Sequence, residues 1–305
     1  MVADDRIDRW RQNGADRLKA AVPVEARQQL NRARLRARRL TASARTLPDV
    51  LLIGGQRCGT SSLFKWLSRH PQMAPALRKE VDYFSLDHEL GEQWYRAHFP
   101  LEARRRWSAT RDRPWLAFEA TPTYVFDPRA PERAAHLVPT AKLIALLRDP
   151  VERAVSHYHH NVRHQLERLS LEDALRAESE RLAPEWTHIE EDPDHRAIRL
   201  RRFSYVARGR YAEQLERWFA SYPIEHVLVL RSEDLFAAPG DGLERITDFL
   251  GVERWHPPEF RNYSSVGGLD EAPAAPSHEA LAFLRAALEA PNAALTDLMG
   301  PAFTW

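Results

Sequence analysis

The chain has 305 residues, 44% of them hydrophobic and 29% charged, with a formal net charge of +1. That is the make-up of an ordinary globular protein, long enough for one large domain or a domain with an appendage. It excludes a membrane-spanning chain, because no apolar run approaches the roughly 18 residues such a span needs.

The N-terminus lacks the basic-then-apolar pattern of a secretion signal. Cys58 is the only cysteine, which rules out an internal disulfide and predicts a reducing, cytoplasmic location. Among the 44 basic residues only Lys19, Lys65, Lys79 and Lys142 are lysines. This arginine bias reads as genome composition, and no nucleic-acid partner is expected. Residues 1–46 hold twelve basic and five acidic side chains, and 26–46 hold seven arginines and no acid. The arm is predicted to be a solvated, basic helical extension of a domain over 47–305. The rival role for 26–46 is contact with an anionic membrane surface, partner or substrate. Its apolar positions form no clear helical stripe, which favours the solvated extension.

Leu47-Pro48 ends the arm. Val50 to Ile53 is a short, wholly apolar run, the pattern of a buried parallel strand. Gly54-Gly55 turns the chain, and Ser61 to His70 reads as a helix stopped by Pro71. A strand is expected near Trp115–Glu119. KLIALL (142–147) is a second buried strand, followed by a helix over Val151–Gln165. Residues 170–200 are acidic and mostly helical or irregular. Tyr211–Phe219 reads as a helix, His226–Leu230 as a third buried strand, and Leu243–Leu250 as a helix closed by Gly251. Residues 256–278 should form a long loop before a final helix over 278–290. No internal repeat is present. Buried strands alternating with helices predict an α/β fold, a P-loop-like parallel sheet flanked by helices.

The first strand runs into LLIGGQRCGTSSL (51–63). Gly54 and Gly59 stand where G-x-x-x-x-G-K-[ST] has its glycines, but Thr60 occupies the lysine position and Arg57 comes three residues early. Strand, glycine turn and helix converge free N–H groups and a positive dipole end on one point, which makes an anion site. The plainer reading is a strand-to-helix turn. A triphosphate site would also need a metal-holding acid, for which Asp149 is the candidate; its neighbour Arg148 would set a cation beside that metal.

Arg148 itself ends a buried strand, where ligands of parallel α/β sheets bind. Asp149-Pro150 opens the next helix as N-cap and N1. Ser156, two turns on, reaches the same space. An arginine and a hydroxyl there would hold a second phosphate, so a ligand with two separated phosphates fits better than a linear triphosphate. The alternative for Arg148 is an ion pair with Asp149 or Glu152.

These residues resemble sulfotransferases that use 3′-phosphoadenosine 5′-phosphosulfate (PAPS), above all the heparan-sulfate-type branch and its bacterial relatives. IGGQRCGTSSL is similar to their 5′-phosphosulfate loop, and LIALLRDPVERAVSHY to their 3′-phosphate segment. Similarity continues through KEVDYF (79–84), FEATPTY (118–124), RGRYAEQLERWF (208–219), HVLVLRSEDL (226–235) and DFLGV (248–252), and covers most of 50–305. The resemblance implies a loop of Arg57, Cys58, Gly59, Thr60, Ser61 and Ser62 around the 5′-phosphosulfate, with Arg57 in place of the family lysine. It implies Arg148 and Ser156 on the 3′-phosphate, Glu80 as the base that takes the acceptor's proton, and no metal. The implied reaction moves a sulfuryl group from PAPS to a hydroxyl or amine of a carbohydrate or small metabolite, leaving 3′-phosphoadenosine 5′-phosphate (PAP). The alternatives are a P-loop phosphotransferase and a noncatalytic nucleotide or polyanion binder.

Two positions depart from the branch. Its E-K-T-P segment has lysine where this chain has Ala120. Its late loop carries lysine, whereas 262–267 here has none, and this loop is expected to cover the nucleotide through backbone and hydroxyl groups. Among histidines, His157, His159 and His160 crowd one helix and offer a rival base; they read chiefly as packing and surface groups. Arg210 is placed near the nucleotide. Segments 85–113 and 160–208 are expected to shape the acceptor cleft, with Trp94, Trp107 and Trp186 as stacking surfaces.

Overall fold

The computed structural model describes residues 24–109, 113–263 and 275–305. Residues 1–23 of the predicted arm and 264–267 of the late loop lie outside the described residues. Helix α1 (Val24–Arg39) forms most of the described part of the arm and exposes Arg32, Arg34, Arg36 and Arg39. Its end is fastened to the domain. The Arg38 guanidinium donates to the carbonyls of Ala97 (2.6 Å) and Phe99, and Arg45 donates to Phe99 at 2.9 Å. Among the described residues no helix is long and apolar enough to cross a membrane.

Five strands follow: β1 (Val50–Gly54), β2 (Met73–Pro75), β3 (Leu116–Ala120), β4 (Lys142–Leu147) and β5 (Val227–Arg231). They form one sheet in the order β2-β3-β1-β4-β5, every pairing parallel. Both faces are buried. Leu51, Ile53, Leu143, Ala145 and Leu147 enter one apolar cluster, and Val50, Leu52, Ile144 and Leu146 the other. Alternate residues of each strand thus face opposite layers, which explains why these strands are continuous apolar runs instead of alternating ones.

The helices within the domain are α2 (Thr60–Leu67), α3 (Glu92–Arg96), α4 (Glu102–Ser108) and α5 (Ala130–Leu137). After β4 come α6 (Pro150–Arg163), α7 (Leu171–Arg176), α8 (Glu178–Glu191), α9 (Ile198–Phe203) and α10 (Tyr211–Ser221). After β5 come α11 (Ser232–Ala237), α12 (Pro239–Leu250) and α13 (His278–Met299). Leu63 and Trp66 of α2 and Leu243 and Ile246 of α12 cover one face; Leu215 and Trp218 of α10 and Ala134 of α5 cover the other.

Several boundaries differ from the sequence reading. The helix expected over 61–70 stops at Leu67, since Ser68 to His70 close it in a tight turn. The final helix runs on to Met299 through Pro291, held by Leu288 and Leu295 in the core. The three-residue β2 and helices α3, α4 and α5 were not expected.

From β1 the chain adds β2 and β3 on one side, then crosses to add β4 and β5 on the other. The strand order therefore reverses between β1 and β4, and the crevice beyond their carboxyl ends is where such sheets bind ligands.

Candidate active site

The loop after β1 is tied across this crevice by the Gly55 N–H, which donates to the carbonyl of Leu146 in β4. Gly59 precedes α2 at φ 85°, and a Cβ there would lie 2.3 Å from the Phe236 ring. Both the left-handed backbone and the close approach require glycine. Gly59, Thr60 and Ser61 then line a cleft of about 770 Å³ at the positive end of α2.

Arg57 and Arg148 line the same cleft, with Ser156 and Arg163 of α6. The Arg57 Nε donates to Ser156 Oγ at 3.2 Å. Burial, then the neighbouring cations Arg163 and Arg148, push the Arg57 guanidinium below its ordinary value. Such mutual repulsion is relieved when an anion enters. Arg148 pairs with Glu152 through Nη2 at 2.6 Å while still facing the cleft, so the ion-pair alternative and the cleft position hold together. Its backbone is anchored by the Tyr211 hydroxyl, which donates to the Arg148 carbonyl at 2.9 Å. Asp149 caps α6 by accepting from the Glu152 N–H at 2.8 Å. That carboxylate is spent on the cap and does not line the cleft.

Cys58 and Ser62 do not line it either. Cys58 packs in the apolar layer, and burial pushes its thiol up to about 11. The Ser62 hydroxyl donates to Asn262 Oδ1 (3.3 Å) and accepts from the Tyr263 N–H (2.9 Å). It fastens the late loop, and Asn262 and Tyr263 thereby reach the cleft.

Glu80 lines the same cleft. Its backbone sits at φ 60°, held by a bond from its N–H to the Ala120 carbonyl at 2.8 Å. The Val81 N–H donates to Thr121 Oγ1, which in turn donates to buried Glu119. Each Glu80 carboxylate oxygen meets a cation: Lys79 Nζ at 2.6 Å and Arg201 Nη2 at 2.8 Å. Burial alone would raise this carboxyl, but Lys79 and Arg201 outweigh it and hold it below the usual carboxylate range. Arg201 also binds Asp82 at 2.8 Å. The sequence reading missed Arg201; the signal was the basic run IRLRRF of α9 inside an acidic stretch.

His160 lines the cleft, and burial followed by Arg57 lowers its ring to about 4. His157 is buried and does not. Arg210 pairs with Glu213 at the surface, away from the cleft. The three tryptophans also lie elsewhere. Trp94 is buried beside Arg78, Trp186 packs on Phe126, and Trp107 is exposed. Among the described residues, segment 85–113 contributes nothing to the cleft wall, which instead takes Arg163, His164, Arg201 and Arg202 from 160–208.

A parallel α/β sheet with a cationic crevice at its switch point defines the class of α/β proteins built to bind an anionic ligand there. A family model described as a sulfotransferase domain matches residues 47–263, and the chain belongs to that family, whose activity is PAPS-dependent sulfuryl transfer. Heparan sulfate glucosamine 3-O-sulfotransferase 6 of Mus musculus is 30% identical over 252 residues, 79% of this chain and 64% of that protein. The bifunctional heparan sulfate N-deacetylase/N-sulfotransferase 1 of Caenorhabditis elegans is 26% identical over 75% of this chain and 25% of its own length. The chain thus spans under two thirds of either relative. The crystal structure of a sulfotransferase from Alicyclobacillus acidocaldarius is similar at a TM-score of 0.59 and 26% identity, covering 83% of this chain and 96% of that one.

Proposed function

We propose that this chain transfers the sulfuryl group of PAPS to a hydroxyl or amine of an acceptor. The observation that carries this reading is the bond from Arg57 to Ser156. It joins two anion-binding segments, one after β1 and one after β4, into a single cleft suited to a ligand with two separated phosphates. In this reading Gly59, Thr60 and Ser61 hold the 5′-phosphate, and Arg148 and Ser156 hold the 3′-phosphate. Bound PAPS supplies the sulfuryl group. Glu80 accepts the acceptor's proton as the new bond to sulfur forms. Arg57 faces the bridging oxygen, which keeps the electron pair of the broken S–O bond on PAP.

Both relatives are named for sulfation of heparan sulfate, which supports a carbohydrate acceptor. Arg163 and Arg202, which line the same cleft as Glu80, supply cations that Ala120 does not. With Cys58 as sole cysteine the reading also places the reaction in a reducing compartment such as the cytoplasm. The test is calorimetry with PAP and with ATP, each in chelator and in magnesium. PAP should bind far more tightly and without metal. Equal affinity for ATP, or binding only with magnesium, would return the reading to a P-loop phosphotransferase.

A further inference from the structure

We propose a transition-metal site outside the cleft, formed by Glu185 and His188 of α8 and by His195. Among the described residues these three form the one group of its kind: each offers a ligand atom, and all the atoms lie within 4.8 Å of one another. Glu185 and His188 are three apart on one helix, so they share a face. The chain then turns back, and His195 Nε2 comes to 3.3 Å from Glu185 Oε2, with the two imidazole rings 4.9 Å apart.

The cluster has the anatomy of a built site. The carboxylate is buried, with Glu185 only 8% exposed, while His188 is exposed. The turn that brings His195 back is fixed by groups that are not ligands. Arg129 donates to the carbonyls of Pro193 (2.7 Å) and His195 (2.8 Å), and Arg133 binds Pro193 and Asp194. Arg129 is itself gripped by Asp127 through both carboxylate oxygens. Outer partners of this kind orient metal ligands.

Two imidazoles and a carboxylate, with no thiolate, suit zinc and its neighbours in the first transition row. Bonds of roughly 2.1 Å in a tetrahedron set ligand atoms about 3.4 Å apart. The Glu185–His195 pair is already at that spacing, so closure falls to His188. Three protein ligands leave one position for water. None of the three lines the anion cleft. The ion would instead pin α8 to the turn leading into α9, the helix that carries Arg201. The inference stands independently of the sulfuryl-transfer reading, and its test reads metal binding and not turnover.

Full-length protein free of any affinity tag, stripped with chelator, is titrated with Zn²⁺ by calorimetry and with Co²⁺ by visible absorption. One ion per chain at micromolar affinity or tighter is expected, with Co²⁺ giving the d–d bands of a four-coordinate site. His188→Ala and His195→Ala should each weaken Zn²⁺ binding by at least about 10-fold, the loss that removing a supporting outer partner alone causes. His188 is exposed, so its variant keeps the fold even if that of His195 does not. The other close histidine pair, His160 and His164 with rings 4.4 Å apart, supplies the control. A His160→Ala/His164→Ala protein should bind Zn²⁺ as the parent does. Absence of micromolar binding, unchanged binding in Glu185→Gln/His188→Ala/His195→Ala, or loss that follows the control pair would each overturn the proposal.

Discussion

Arg57 and Ser156 stand 99 positions apart in sequence, yet the arginine Nε lies 3.2 Å from the serine Oγ. The loop after β1 and the helix after β4 are thereby joined at the point where the sheet's strand order reverses. Together they place Arg57, Arg148 and Arg163 around one volume, where burial and then repulsion from Arg163 and Arg148 lower the Arg57 guanidinium.

The first prediction separates the two phosphates. Arg148→Ala should weaken PAP by about 1.5–3 kcal/mol, the scale of a charged hydrogen bond, and barely affect the analogue lacking the 3′-phosphate. Glu152 competes for the same guanidinium at 2.6 Å. Glu152→Gln should therefore tighten PAP binding. Calorimetry with both nucleotides checks the pair; equal losses for both in Arg148→Ala would show that Arg148 does not read the 3′-phosphate.

A second prediction concerns the buried support of the Glu80 segment. Burial pushes the Glu119 carboxyl up to about 7 from an ordinary 4.5, against hydrogen bonds from Tyr95, Thr121 and Tyr124. A carboxyl raised on folding contributes stability that is complete below its unfolded value and is lost as pH rises through the folded one. For a rise of this size the loss should approach about 3 kcal/mol. Glu119→Gln lacks this titration. Urea unfolding of both proteins should show wild-type stability falling relative to the variant between about pH 4.5 and 8; a constant difference would refute it.

How much of this was readable in advance depends on distance along the chain. β1, β4 and β5 were legible because strands buried on both faces leave unbroken apolar runs, and the two segments that line the cleft because each is local to one strand end. β2 was not, since three residues carry no periodicity. Trp94 and Trp186 suggest cleft surfaces in the sequence, but an aromatic ring carries no label for the side it faces, and here both turn inward. Arg201 escaped because its partner Glu80 is 121 residues away, and nothing in either segment names the other.

Arg201 is a positioning residue in this arrangement. It holds one Glu80 oxygen and one Asp82 oxygen, each at 2.8 Å, and helps keep the Glu80 carboxyl low. Arg201→Met should lower kcat by about 10-fold or more through misplacement of the base. It should also raise the Glu80 pKa. A base works deprotonated, so the acid limb of the kcat/KM profile should move to higher pH, and less so in Arg201→Lys. A fall in kcat with an unmoved acid limb would reduce Arg201 to a structural part.

The final prediction concerns the base itself. Of the candidate bases that the sequence offers, Glu80 and His160 line the cleft. Both are deprotonated at neutral pH, so charge state does not separate them; surroundings do. His160 is lowered to about 4 by burial and by Arg57, so a proton arriving there would meet the Arg57 cation. Glu80 keeps a 39% exposed carboxylate in the cleft, with Lys79 and Arg201 fixing its two oxygens. Glu80→Gln preserves shape and removes basicity. Turnover should fall by about 10²-fold or more, the usual worth of a general base, while PAP affinity stays nearly constant. Arg57→Ala should slow transfer for a different reason, loss of the cation opposite the charge that builds on the leaving phosphate. An acceptor of low pKa separates the two losses. Such an acceptor gives up its proton without help and should partly rescue Glu80→Gln, yet it does nothing for the leaving group and should not rescue Arg57→Ala. Near-normal turnover in a folded Glu80→Gln protein would pass the role to His160, and His160→Ala would then carry the loss.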